Sequence, residues 1–108
     1  MTIDLYSENL EITDSLKDYV TQRIRLLDKY VQAFEKDEPL LMKVELSRST
    51  HHHNKGPVFY AELTTVIFGT TLRIEQYEED ARVAIDKAKD RMKVELRRFK
   101  EKTQQKRR

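Results

Sequence analysis

The residues with the most to offer chemically are cations. Lys87, Lys89, Arg91, Lys93, Arg97, Arg98, Lys100 and Lys102 crowd one short stretch of a 108-residue chain. Arginine can fork two oxygens of one phosphate and lysine acts as a mobile point charge, so the chemistry this set suits is capture of a polyanion. From residue 87 to residue 108 there are eleven Lys or Arg against three Asp or Glu, a net of +8. The other 86 residues carry ten basic and sixteen acidic groups, a net of −6, so the overall +2 conceals a dipolar molecule. Such a field favours a polyanion at one end and weakens non-specific adhesion elsewhere. A solvated helix face is the plainer reading of a lysine-rich stretch, but a merely solvated helix mixes its signs.

Two other groups invite a chemical reading. His51, His52 and His53 are adjacent in a polar segment. Three neighbouring histidines on a loop do not close a metal site, and neither cysteine nor a nearby carboxylate cluster completes one, so no metal is expected there. A loop that brushes RNA, or is simply solvated, is the better reading. Glu78, Glu79, Asp80 and Asp86 could suggest acid–base work, but at the start of a helix the first three offset its dipole. No catalytic triad, phosphate-binding loop or dinucleotide motif is present, so neither an enzyme nor a cofactor is expected.

The basic stretch needs a helix to position it. Ala81, Ile85, Ala88, Met92, Leu96 and Phe99 recur every three or four residues within 79–102, the stripe of an amphipathic helix about six turns long. Lys87, Arg91, Arg98 and Lys102 then fall along one edge, and Lys89, Lys93, Arg97 and Lys100 along the other. The remaining chain must hold that helix by its apolar side. Residues 2–6 alternate and predict a short strand. Thr13 is a good N-cap, and Leu16, Val20, Ile24, Leu27, Val31 and Phe34 predict one helix over 14–34, with Tyr19 and Tyr30 beside the stripe. Strands are expected over 40–48, 58–68 and 71–75, with a polar loop over 49–57 and a tight turn at Gly69-Thr70.

The order is β-α-β-β-β-α, an α+β fold with two helices packed on one face of a four-stranded, largely antiparallel sheet. Lys43, Glu45, Tyr60, Glu62 and Thr64 mark the other face as wet. Residues 1–102 read as a single domain and 103–108 as a basic tail that frays. The first residues lack the basic and apolar runs of a signal peptide, and no apolar stretch reaches the roughly 18 residues of a membrane span. A cytoplasmic, monomeric protein without membrane contact is expected.

These residues carry a resemblance. Asn9, Glu11, Ile12, Thr13, Leu16, Tyr19, Val20, Arg23, Leu27, Lys29 and Tyr30 resemble the "EIT…L..YV..R…L.KY" stretch of the ribosome hibernation factors, once called sigma-54 modulation proteins. Leu72-Arg73-Ile74-Glu75 resembles that family's "LRAE" strand. Asp80, Ala84, Ile85 and Asp86 are similar to its "D-hydrophobic-Tyr-x-Ala-Ile-Asp" motif, and Asp90, Arg91, Arg98 and Lys102 to its "DKLERQLRKHK" helix. There are departures: Arg82 stands where the motif has tyrosine, Ala81 where it has a larger hydrophobic residue, and Val94 where the helix has arginine.

The resemblance implies a double-stranded-RNA-binding-like fold. It also implies a ribosome hibernation factor that binds the small ribosomal subunit and its ribosomal RNA, between head and body. There such proteins overlap the messenger channel and the transfer-RNA sites, and inhibit translation by occupancy. Long members add a C-terminal domain that pairs ribosomes. This chain reads as the short form, which in some bacteria acts with a second small hibernation factor. The expected RNA-binding set is Lys87, Lys89, Arg91, Lys93, Arg97, Arg98 and Lys102, with Arg23, Lys29, Arg73 and Arg82. Two alternatives stay open: a general binder of double-stranded or structured RNA acting off the ribosome, and a protein whose basic helix docks an acidic protein surface.

Overall fold

Alternation in the first residues produces strand β1, Thr2–Tyr6, with Ile3 and Leu5 packed on the core. The computed structural model describes residues 1–49 and 58–106. Helix α1, Asp14–Arg25, starts as expected: the Leu16 N–H donates to Thr13 Oγ1 at 3.2 Å, and Asp14 sits in the first turn.

The single helix expected over 14–34 is divided. α1 stops at Arg25, a four-residue α2 follows at Asp28–Val31, and a 3₁₀ turn runs over Gln32–Phe34. At the break the Leu26 and Leu27 N–H groups donate to Arg23 O at 3.2 Å and Ile24 O at 2.9 Å, a tighter winding than the α ladder. A tertiary tie holds it: Arg25 Nη1 donates to Met1 O at 2.5 Å and Asp28 Oδ1 at 3.3 Å. The apolar stripe survives, since Leu27, Val31 and Phe34 are all buried.

The remaining strands are β2 (Leu41–Ser49), β3 (Val58–Ile67) and β4 (Thr70–Glu78). The sheet order is β1-β2-β3-β4, with β1 parallel to β2 and the other pairs antiparallel. The parallel pair requires the α1–α2 crossover; the antiparallel pairs are hairpins. In register, Val44, Leu63 and Ile74 lie side by side on the covered face. β4 extends three residues beyond the expected 71–75, so Gln76, Tyr77 and Glu78 belong to the sheet. The β3–β4 turn is Phe68-Gly69, not Gly69-Thr70: Ile67 pairs with Thr70, and φ is 50° at Phe68 and 79° at Gly69. Two positive φ values make the mirror-image turn that matches the twist of the flanking strands. His51, His52 and His53 lie outside the described residues.

Helix α3, Ala81–Lys106, is the longest element. It begins two residues later than expected, because Asp80 caps it: Asp80 Oδ1 accepts from the N–H groups of Arg82 at 2.8 Å and Val83 at 3.2 Å. It continues past residue 102 to Lys106, and Thr103 Oγ1 donates to Phe99 O at 2.8 Å within that last stretch. Ala84, Ile85, Ala88, Met92 and Leu96 are fully buried against the sheet and α1–α2. The two alanines, with Ala61 in β3, allow close approach. The larger side chains supply the apolar burial, each worth about 1.5–3 kcal/mol.

Candidate nucleic-acid interface

α3 is about 39 Å long at 1.5 Å per residue, so its cations are spread along a rigid rod. With one edge of the rod leaning on β4 and the other on α1–α2, the cations divide into two rows.

On the β4 edge, Lys87 pairs with Glu78 at 2.9 Å. Arg91 Nη1 donates to Glu75 O at 2.6 Å and to Gln76 Oε1 at 2.9 Å, clamping the helix to the strand. Arg98 bonds Glu95 at 3.3 Å, and Arg98 and Lys102 line a groove with Phe68, Leu72 and Phe99. Glu78, expected in the first turn of the helix, is instead the last residue of β4. Lys87, with help from Gln76, holds its carboxyl below the usual carboxylate range.

On the other edge the cations gather around two tyrosines. Arg82 and Arg23 both lie against the Tyr19 ring, at 4.6 and 4.9 Å from its centre. Tyr19 donates its hydroxyl to Asp86 Oδ2 at 2.7 Å, and Arg23 Nε sits 3.4 Å from Asp86 Oδ1. That hydrogen bond pushes the Tyr19 phenol up from its ordinary value. Arg82, where the family pattern has tyrosine, thus adds charge to a ring already flanked by Arg23. Further along, Lys29 and Lys93 lie 5.3 and 5.6 Å from the centre of Tyr30. Burial would raise the Tyr30 phenol, but the ammonium of Lys93 and then that of Lys29 bring it below its ordinary value. Arg97 and Lys100 complete a pocket with Lys29 and Tyr30, and Lys89 pairs with its neighbour Asp90 at 2.7 Å.

Arg73 is the predicted site residue that the fold sets apart. It projects from the open face of the sheet, where Glu45, Glu62 and Glu75 stand directly opposite one another across β2, β3 and β4. Arg73 bonds Glu62 at 2.9 Å and Glu75 at 3.4 Å, and Tyr60 shares its hydroxyl proton between the same two carboxylates. Burial, then the bonds to Glu62 and Glu75, push the Tyr60 phenol well up. Cations line both edges of the helix, whereas Glu45, Glu62 and Glu75 form an acidic row on the open face of the sheet that disfavours approach of a polyanion from that side.

The family model for "Sigma 54 modulation protein / S30EA ribosomal protein" matches residues 3–104. The chain belongs to this family. Relatives within the sigma 54 modulation family include the ribosome hibernation promotion factor of Deinococcus radiodurans, 29% identical over 96 residues, which are 89% of this chain and 47% of the relative. The factor of the same name from Bacillus subtilis is 29% identical over 106 residues, 98% of this chain and 52% of that one. The chain therefore spans about half the length of the curated relatives it matches. Among solved structures, the N-terminal domain of Thermus thermophilus Protein Y superposes with a TM-score of 0.71 at 35% identity, covering 92% of this chain and 99% of that one. A ribosomal subunit interface protein from Coxiella burnetii shares the fold, with a TM-score of 0.69 at 10% identity over 93% of this chain and 98% of that one.

Sequence reasoning placed the two cationic rows but missed what they rest on. Tyr19 and Tyr30 both flank the apolar stripe from Leu16 to Phe34, which is the signal that both border the packed side. Asp86, weighed from the sequence for acid–base work and matched to a family motif, accepts the Tyr19 hydroxyl and lies beside Arg23, so it joins the two in one cluster.

Proposed function

We propose that this chain is a ribosome hibernation factor. It binds the small ribosomal subunit near the messenger channel and the transfer-RNA sites and inhibits translation by occupancy. The observation that carries this reading is a rigid helix with a cationic row on each edge, backed by an acidic sheet. Membership of the sigma 54 modulation family supports it, as do relatives named ribosome hibernation promotion factor. An α-helix with its side chains is about 10–12 Å across, so two rows of cations can meet phosphates on both walls of an RNA channel. Recognition is by shape and phosphate contact, without readout of base sequence.

The contacts fall to the cations least committed elsewhere: Lys29, Lys93, Arg97 and Lys100 on one edge, Arg98 and Lys102 on the other. Lys87 and Arg91 are partly occupied in holding β4, and Arg73 faces away. The test is cosedimentation with purified ribosomes on sucrose gradients, using the native chain and the variant R97E/K100E. The native chain rides with the small subunit at low salt and the variant stays at the top. If the native chain also stays at the top, the ribosomal reading fails, and binding to a plain RNA duplex would then favour a general RNA-binding module.

A further inference from the structure

The β3–β4 turn carries a residue that its geometry argues against. Phe68 sits at φ 50°, a left-handed position where glycine, asparagine or aspartate is the usual occupant and a bulky side chain is an outlier. The residue is 55% exposed. It touches Phe34 edge-on at 5.9 Å and Phe99 at 6.4 Å, but a ring placed only to seal that end of the core would be covered. A conformation that costs energy, kept for a side chain left largely in water, points to a use outside the core.

Beside the ring is a cavity of about 590 Å³. Its apolar wall is Phe68, Leu72 and Phe99, and its cationic lip is Arg98 and Lys102, one turn apart on α3. Lys36 Nζ lies 5.8 Å from the Phe68 ring centre, a further cation beside the ring. Glu95, also on the wall, is bonded to Arg98 and offers acceptors to a base N–H. The size is within the roughly 300–1,000 Å³ of small-ligand pockets. A flat apolar face next to cations is the arrangement that proteins use for single-stranded nucleic acid.

We propose that this groove holds one unpaired nucleotide of an RNA chain, its base stacked on Phe68 and its phosphate on Arg98 and Lys102. The proposal rests on the RNA-binding reading above and adds to it a contact that paired RNA cannot make.

The chain has no tryptophan, so the variant F68W places a lone fluorophore in the groove. A six-nucleotide single-stranded RNA quenches F68W fluorescence on stacking, and an RNA duplex of the same length does not. The variant F68N suits the turn better and so folds, but it binds the single strand about 5- to 100-fold more weakly than the native chain, the weight of one stacked base. Its ribosome affinity falls in step, while its far-UV circular dichroism and cooperative unfolding stay native. Absence of quenching, or F68N binding as tightly as the native chain, overturns the proposal. Quenching by AMP at the same affinity as by the hexamer also overturns it, because a mononucleotide site would then be the better description. Normal ribosome binding by F68N together with its loss in R97E/K100E would sink the groove while leaving the proposed function standing.

Discussion

The separation of Arg73 from the helix cations can be tested through salt dependence. Arg97 and Lys100 are exposed, share a pocket with Lys29 and Tyr30, and make no ion pair among the described residues. Each phosphate contact adds about 0.7–0.9 to the slope of log affinity against log salt, so R97Q/K100Q should lower the slope by about 1.4–1.8. At 0.1 M salt each contact is worth about 0.8 decade relative to 1 M, so losing two costs about 1.6 decades, roughly 40-fold or about 2 kcal/mol. R73Q removes the same formal charge as either single change, but from the acidic face, where Arg73 is bonded to Glu62 and Glu75. Its slope should stay within about 0.2 of the native one. The assay is equilibrium binding of fluorescently labelled protein to purified small subunits over a series of potassium chloride concentrations. An unchanged slope for R97Q/K100Q, or a fall of one unit or more for R73Q, would refute the assignment of faces.

Three further outcomes follow from the packing. Met92 is fully buried in the centre of α3, and M92A should destabilise the fold by about 2–5 kcal/mol in urea titration, through lost burial and the cavity left behind. Asp80 accepts two N–H groups at the start of α3, so D80A should cost about 1 kcal/mol of thermal stability, and D80N far less. Arg73, then Tyr60 and Thr64, hold the Glu62 carboxyl below its ordinary value of 4.5, against the opposing effect of burial. A depressed folded value stabilises above the unfolded one and is lost as pH falls through it. Native stability should therefore decline below about pH 4.5, and E62Q should decline less steeply in the same acid series.

Much of the molecule was legible before folding because periodicity is a property of each element alone. The stripe from Ala81 to Phe99 established a helix, and its complement established two cationic edges. The alternation that marked Lys43, Glu45, Tyr60, Glu62 and Thr64 as the wet face leaves Met42, Val44, Leu46, Ala61, Leu63, Thr65 and Ile67 on the covered one, and all seven are buried. The basic C-terminal stretch, the acidic remainder and the motif order that pointed to the family were also available from the residues themselves.

What periodicity cannot carry is the identity of the neighbour. Arg91 reaches Glu75 O sixteen residues away, and Tyr19 reaches Asp86 across 67. Arg73 looked like one more cation of the patch until the register placed it opposite Thr64 and beside Glu62. At the split after Arg25 that side chain bonds Met1 O, a contact invisible to any local pattern. At Phe68 the local preference itself misled: phenylalanine reads as a strand residue, and only the pairing of Ile67 with Thr70 forces it into the turn. The amino-acid sequence by itself determined which side chains are apolar, charged or capping along each element, because those are short-range properties of the chain. Tertiary structure alone decided which cations are free and which are tied to a strand. The same step placed the acidic row on one face only and left an aromatic ring in solvent, because each depends on elements distant in sequence meeting in one register.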